Sequence, residues 1–154
     1  MRRFVIFLST ILISVSSFCM DSLSVFYRIR LDRDIDKAAE RIISYGLEKA
    51  VEADADYIIL DIDTYGGAVN SADSIRTAIL GFEKPVIAYV NVQAASAGAL
   101  ICIACDRIYM KTGSSIGAAT VVNQTGDVMP DKYQSFMRGM MRSTAEATGR
   151  DPSV

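Results

Sequence analysis

The chain of 154 residues has no histidine and no tryptophan, and only three cysteines and three prolines. Without histidine, a Ser-His-Asp triad cannot be drawn from this chain alone, and the commonest zinc ligand is missing. Any serine nucleophile here needs a different base. The cysteines are poorly placed for a metal. Cys19 stands alone, and Cys102 and Cys105 form a C-x-x-C spacing inside the apolar stretch Leu100-Ile-Cys-Ile-Ala-Cys105. No second pair completes a zinc site, so buried free thiols are expected, with no metal and no cofactor. A basic cluster is also lacking. Sixteen Lys and Arg stand against eighteen Asp and Glu, which argues against a phosphate-tracking surface and against nucleic acid as a partner. What is present is a hydrophobic content of 51% with 22% charged residues. That balance, at this length, predicts one compact domain with a real core.

The one long hydrophobic run is at the N-terminus. Arg2 and Arg3 precede an apolar stretch from Phe4 to about Val15, followed by Ser16, Ser17, Phe18 and Cys19. A charged start, a short apolar centre and a small-residue exit describe a secretory signal, and the run is short for a membrane span. Residues 1–19 are therefore expected to be a signal peptide cleaved next to Cys19; lipidation of Cys19 is the alternative. Residues 20–154 are expected to form an exported, extracytoplasmic or periplasmic domain.

Beyond the signal, periodicity predicts alternating strands and helices. Ser22–Leu31 alternates and reads as a strand, and Asp32–Ala53 reads as a helix with Ala38, Ile42, Ile43, Leu47 and Ala50 on one face. Tyr57–Ile62 and Pro85–Val90 are nearly continuous apolar runs, the pattern of buried parallel strands. Helices are expected at 71–80, 96–104 and 131–148, and a further strand at 107–110. Residues 123–130 read as a loop. Short strands alternating with helices imply βαβ units in an α/β fold.

Two post-strand loops carry candidate chemistry, because ligands of open α/β sheets bind beyond the carboxyl ends of the strands. One is Asp63-Thr-Tyr-Gly-Gly67; the other contains Ala94-Ala-Ser-Ala-Gly98. Glycines leave backbone N–H groups unobstructed. A serine at a helix start leaves the next N–H without an intrahelical acceptor. The N–H groups of Gly67 and Ala97 are thus candidates for an oxyanion hole beside Ser96. The plainer readings are a tight turn for Gly66-Gly67 and a helix N-cap for Ser96. Gly113-Ser-Ser-Ile-Gly117 matches the G-x-S-x-G elbow, but that elbow works with histidine and is rejected. For the base of Ser96, arginine is excluded by its permanent charge. Among the lysines, Lys37 and Lys49 fall on a charged helix face, and Lys84 falls at the wrong end of the sheet. Lys111 and Lys132 remain. Lys132 opens the last helix after Pro130-Asp131, with Asp131 a candidate N-cap, and a helix N-terminus disfavours a neighbouring ammonium charge.

Together these blocks resemble the ClpP-class membrane serine protease family called nodulation formation efficiency D (NfeD), from about Val25 to Arg150. Asp61-Ile-Asp-Thr-Tyr-Gly-Gly67 is similar to the family's oxyanion strand and loop, and Ala94-Ala-Ser-Ala-Gly98 to its nucleophile block. Asp131-Lys132, Met140-Met-Arg-Ser-Thr-Ala-Glu146 and Gly149-Arg150 are similar to its base-bearing helix and closing motif. The resemblance implies a ClpP/crotonase-type βαβ superhelix and a Ser-Lys dyad. Ser96 would be the nucleophile, Lys132 the general base, and Gly67 and Ala97 the oxyanion donors. An extended substrate is expected to add as a strand beside Gly67-Ala-Val-Asn70, with Gly66, Ala68, Val69 and Asn70 as its binding residues. The resemblance further implies a membrane-associated peptidase of hydrophobic segments, linked to stomatin-like membrane proteins and acting as a homo-oligomer. Two departures stand out. Tyr65 replaces a proline common in the family, and the sequence stops at Asp151-Pro-Ser-Val154 where the family often continues into membrane spans and a small β-barrel. A truncated or short form is therefore expected, and a catalytically silent scaffold for a membrane partner is the alternative function.

Overall fold

The computed structural model describes residues 23–123 and 125–153. The expected signal peptide and Cys19 lie outside the described residues. Five strands form one parallel sheet: β1 (Phe26–Leu31), β2 (Tyr57–Thr64), β3 (Val86–Ala95), β4 (Arg107–Met110) and β5 (Ser115–Gly117). Their order is β1-β2-β3-β4, with β5 paired to the far end of β3. The helices are α1 (Lys37–Glu52), α2 (Val69–Leu80), α3 (Ala97–Ala104) and α4 (Asp131–Ala147). The α/β architecture with a parallel sheet is the one expected.

The core follows from the period of two in the strands. Ile58, Leu60 and Ile62 of β2 pair in register with Val86, Ala88 and Val90 of β3, and all six are buried. They join Ile43 of α1, Ile75 of α2, Leu100 and Ile101 of α3, and Met137 and Met140 of α4 in one cluster. The alternate residues form a second, more open face, although the apolar runs of β2 and β3 read as buried on both sides. Arg28, Ile59, Asp61, Ile87, Tyr89 and Tyr109 line a shallow hollow there. Asp61 is buried on that face because Arg28 covers it, its Nε donating to Asp61 Oδ2 at 3.0 Å.

Several boundaries differ from the sequence expectation, each for a local reason. Helix α1 starts at Lys37, not Asp32. Asp36 caps it, accepting the Ala39 N–H at 2.8 Å. That bond holds the Asp36 carboxyl below the usual carboxylate range. The preceding Ile35 is spent on a bridge to Gly67. Strand β3 runs on to Ala95, past the expected end at Val90. Its pairing with β2 shifts between Ile62↔Val90 and Thr64↔Ala94, so β3 carries extra residues, and its end is supported on the other side by β5. β5 has no counterpart among the expected strands; it is short and mostly exposed and has no hydrophobic period of its own.

Candidate active site

The turn from β3 into α3 holds Ser96. Its backbone is at φ 53° and ψ −115°, a region where a residue with a Cβ is strained by about 1–3 kcal/mol. Two contacts hold it there. The Ser96 N–H donates to the Gly117 carbonyl at 2.7 Å, and the Ser96 carbonyl accepts the Ala99 N–H at 3.0 Å. Ser96 occupies the N-cap position of α3, yet its side chain makes no capping hydrogen bond. The plain N-cap reading therefore leaves its hydroxyl unexplained. The rejected Gly113–Gly117 motif has a positional role: its last residue supplies the carbonyl that anchors the serine's backbone.

Because β2 and β3 are neighbours, their two loops meet. Gly66 lies against the serine: a Cβ at Gly66 would stand 2.7 Å from Ser96 Cβ and 3.0 Å from the Ala95 carbonyl oxygen. Gly67 is pressed against the Ile35 backbone, where a Cβ would come within 2.3 Å of the Ile35 oxygen. Gly66 O accepts the Ile35 N–H, and the Ala68 N–H donates to Ile35 O, each at 2.8 Å. Alternate residues of an extended chain direct their polar groups to opposite sides, so the Gly67 N–H turns away from Ile35. Neither it nor the N–H of Ala97, the first residue of α3, has an acceptor among the described residues.

Sequence reasoning missed Thr64 and Gln134. Thr64 is buried, and its Oγ1 accepts the Gly66 N–H at 3.1 Å, shaping the loop from inside. Gly98 packs so closely on it that a Cβ would meet Thr64 Cγ2 at 2.6 Å. A hydroxyl residue two positions before the first glycine of a Gly-Gly turn was the available signal. Gln134 is bonded to both sides of the Val121 backbone, at 3.0 Å and 2.7 Å, and to the Met129 carbonyl at 3.1 Å. It ties the long connection to α4, and nothing in the sequence marks it for that task.

Ser96, Gly66, Gly67, Ala68 and Val69 line one cavity of about 990 Å³, whose opposite wall is Ala118 and Thr120–Val122. Helix α2 begins at Val69, so the extended edge is Gly67-Ala68. Val69 and Asn70 are already helical and offer side chains, which corrects the expectation of a strand-like edge through Asn70. Lys132 lines a second cavity of about 520 Å³ with Val69, Asn70, Met137 and Met140. The two cavities share Val69, Val121 and Met137. Lys132 is exposed, with Nζ 4.9 Å from the centre of the Tyr133 ring. Asp131 does not cap α4. It is the first helical residue, and Pro130 holds the cap position without a side-chain bond, since its ring carries no acceptor; its carbonyl accepts the Tyr133 N–H at 2.9 Å.

The remaining lysines are engaged elsewhere. Lys37 pairs with Glu40, Lys49 with Glu52 and Lys84 with Asp54, while Lys111 Nζ donates to Asn91 Oδ1 at 3.3 Å. Cys102 and Cys105 are free and buried. Burial pushes the Cys102 thiol up to about 12 and Cys105 well above its ordinary value, so neither is a ready nucleophile.

The family model described as the NfeD1b N-terminal domain matches residues 25–154. The chain belongs to this family. It is 40% identical over 126 residues to the membrane protein NfeD1b of Bacillus subtilis (strain 168), an alignment covering 82% of this chain and 29% of that protein. It is 32% identical over 113 residues to the membrane-bound protease PH1510 of Pyrococcus horikoshii, covering 68% of this chain and 26% of that one. The chain thus spans under a third of the length of both relatives. Among solved structures it resembles two mutants of the 1510-N membrane-bound stomatin-specific protease, each with a TM-score of 0.79 and 27% identity over 84% of this chain. One has a serine replaced by alanine and covers 67% of that protein; the other has a lysine replaced by alanine, holds a substrate peptide and covers 63%. ClpP1 of Listeria monocytogenes shares the fold, with a TM-score of 0.60 and 22% identity over 82% of this chain and 75% of that one. The NfeD1b domain is therefore ClpP-like and homologous to a protease domain, and its relatives are membrane proteins. No helix among the described residues is long and apolar enough to cross a membrane.

Proposed function

We propose that this NfeD1b domain is a serine endopeptidase acting through Ser96 and Lys132. The observation that carries the reading is the conformation of Ser96. It is a non-glycine residue at positive φ on a strand-to-helix turn, pressed against Gly66, with a hydroxyl that caps nothing. Strain of this kind persists where the surroundings impose it, and it concentrates at reactive positions.

In the proposed reaction, Ser96 Oγ attacks a peptide carbonyl and its proton passes to Lys132 Nζ. The oxyanion is held by the Gly67 and Ala97 N–H groups, one such donor being worth about 3–4 kcal/mol in the transition state. The leaving amine takes the proton from Lys132, and water then hydrolyses the acyl-enzyme, regenerating the Ser96 hydroxyl. Gly66, Ala68, Val69 and Asn70 contribute the substrate wall, and the apolar cavity beside Lys132 suits hydrophobic segments. Support for the residue types comes from the related protease, in which a serine and a lysine were the residues chosen for replacement. We extend the reading to an exported, membrane-associated domain that works as a homo-oligomer on peptide or membrane-protein substrates, with a stomatin-like protein as partner. The test is cleavage of apolar peptides by the unmodified chain and by Ser96→Ala and Lys132→Ala. Both variants should be inactive and folded; undiminished cleavage by either sinks the mechanism.

One observation favours a second reading, a silent scaffold for a membrane partner: Lys132 Nζ rests on its own Tyr133 ring in the neighbouring cavity. A serine-directed phosphonate separates the two. Labelling at Ser96 supports the peptidase, and a folded chain that takes no label supports the scaffold.

A further inference from the structure

The groove through Ser96 is uneven in charge from end to end. The Ile35–Gly67 bridge is parallel, so Asp34 runs alongside Gly66, at the end away from Val69 and Lys132. Among the residues lining the Ser96 cavity, Asp34 is the one carboxylate, and none is a lysine or arginine. The carboxylates beside it have partners: Asp32 pairs with Arg30 at 2.9 Å, and Asp36 is approached by Arg33 at 4.0 Å. Asp34 is exposed and has no ion pair among the described residues. The opposite end, past Val69, is walled by Val121, Phe136, Met137 and Met140; its charged residues are Lys132 and Asp73, and Asp73 is paired with Arg76 at 2.7 Å.

We propose that Asp34 is a specificity-determining residue, selecting extended segments that place apolar residues at the α4 end of the groove and a Lys or Arg beside Gly66. This deepens the peptidase reading and rests on it. An extended chain advances about 3.3 Å per residue, so the basic residue lies within about two or three residues of the bond held at Gly67. Within the Ser96 cavity no second carboxylate competes with Asp34 for an incoming cation, while an acidic residue at the same position meets Asp34 directly. Apolar stretches flanked by Lys or Arg are the composition found at the edge of a membrane segment. That junction is the substrate class the two ends of the groove fit together.

The test separates binding from turnover. Fluorescein-labelled apolar peptides carrying a single Lys, Gln or Glu, moved along the sequence, are titrated by anisotropy against the full chain bearing Ser96→Ala. At one position Lys should bind about fivefold more tightly than Gln at low salt, with Glu weaker than Gln by a similar factor. The spread should shrink as salt shortens the Debye length. Asp34→Asn should erase the ranking, Asp34→Lys should invert it, and Asp34→Glu should keep it. An unchanged ranking in Asp34→Asn, or no preference at any position, overturns the proposal. Cleavage by the unmodified chain is scored separately. Asp34-dependent binding without cleavage overturns the peptidase reading and leaves the preference standing; cleavage without Asp34 dependence does the reverse.

Discussion

The two halves of the candidate site are built by different physics. The Ser96 half is the end of the core. One face of β2 and β3 is buried, their loops interlock, and the critical backbone is bonded to Gly117, Thr64 and Ile35. The Lys132 half stands on the first turn of α4, after a connection that leaves the sheet at Gly117. That helix is anchored by Met137 and Met140 in the core and by the contacts at its far end. Thr144 is fully buried, and both Thr148 Oγ1 and Arg150 Nη1 donate to the Ile103 carbonyl. Near Lys132, Tyr133 and Phe136 are exposed, and Gln134 supplies the tie. The Ser96 geometry is made from sheet and glycine packing, while the proposed base sits on an exposed helix end tied to the preceding connection by Gln134.

The strongest way to break this contrast is catalytic. Ser96→Ala should lower peptide cleavage by at least about a thousandfold, with an unchanged circular dichroism spectrum. Lys132→Ala should match it in activity while shifting the unfolding free energy by less than about 0.5 kcal/mol, since an exposed side chain is removed. A large loss of stability would mean that the Lys132 half is as structural as the Ser96 half. Next comes Gly67→Ala. Its Cβ would collide with the Ile35 backbone at a positive φ, and the combined strain should cost about 2–3 kcal/mol in a denaturant titration. Ser96→Gly should work in the opposite direction. It relieves the strained φ and should stabilise the fold by about 1 kcal/mol while abolishing cleavage. A destabilised Ser96→Gly would show that the serine is not held under strain.

Smaller effects sharpen the comparison. Gln134→Ala should cost about 1 kcal/mol and raise amide exchange in the connection between β5 and α4, leaving exchange in β2 and β3 as it was. Cys102 and Cys105 report on the rigid half. At pH about 8.5, near the ordinary thiol pKa, iodoacetamide should leave both unmodified in the native chain and label both after unfolding. The sign follows from burial, which raises both thiols above that pH in the fold. Native labelling would place the α3 end of the core among the mobile parts.

How much of this was legible in the sequence depends on which interaction fixes each element. The nearly continuous apolar runs of β2 and β3, the apolar face of α1 and the turn glycines are local signals, and they marked the α/β alternation and both site loops. The true start of α1 escaped notice because Ile35 is taken by Gly67, a partner far along the chain. β5 has too few residues to show a period and exists only because β3 offers it an edge. The roles of Thr64 and Gln134 are likewise made by contacts between distant segments.

The sequence by itself determined the chemical alphabet of the site. With no histidine, only the lysines could serve as a nitrogen base to a serine, and the small residues around Ser96 allowed a close backbone turn. The tertiary structure decided where those residues meet. Parallel pairing of β2 with β3 brought Gly66 against Ser96, and the docking of α4 put Lys132 in the cavity next door, because burial of the core and the saturation of backbone hydrogen bonds fix strand order and helix placement at distances no local pattern encodes.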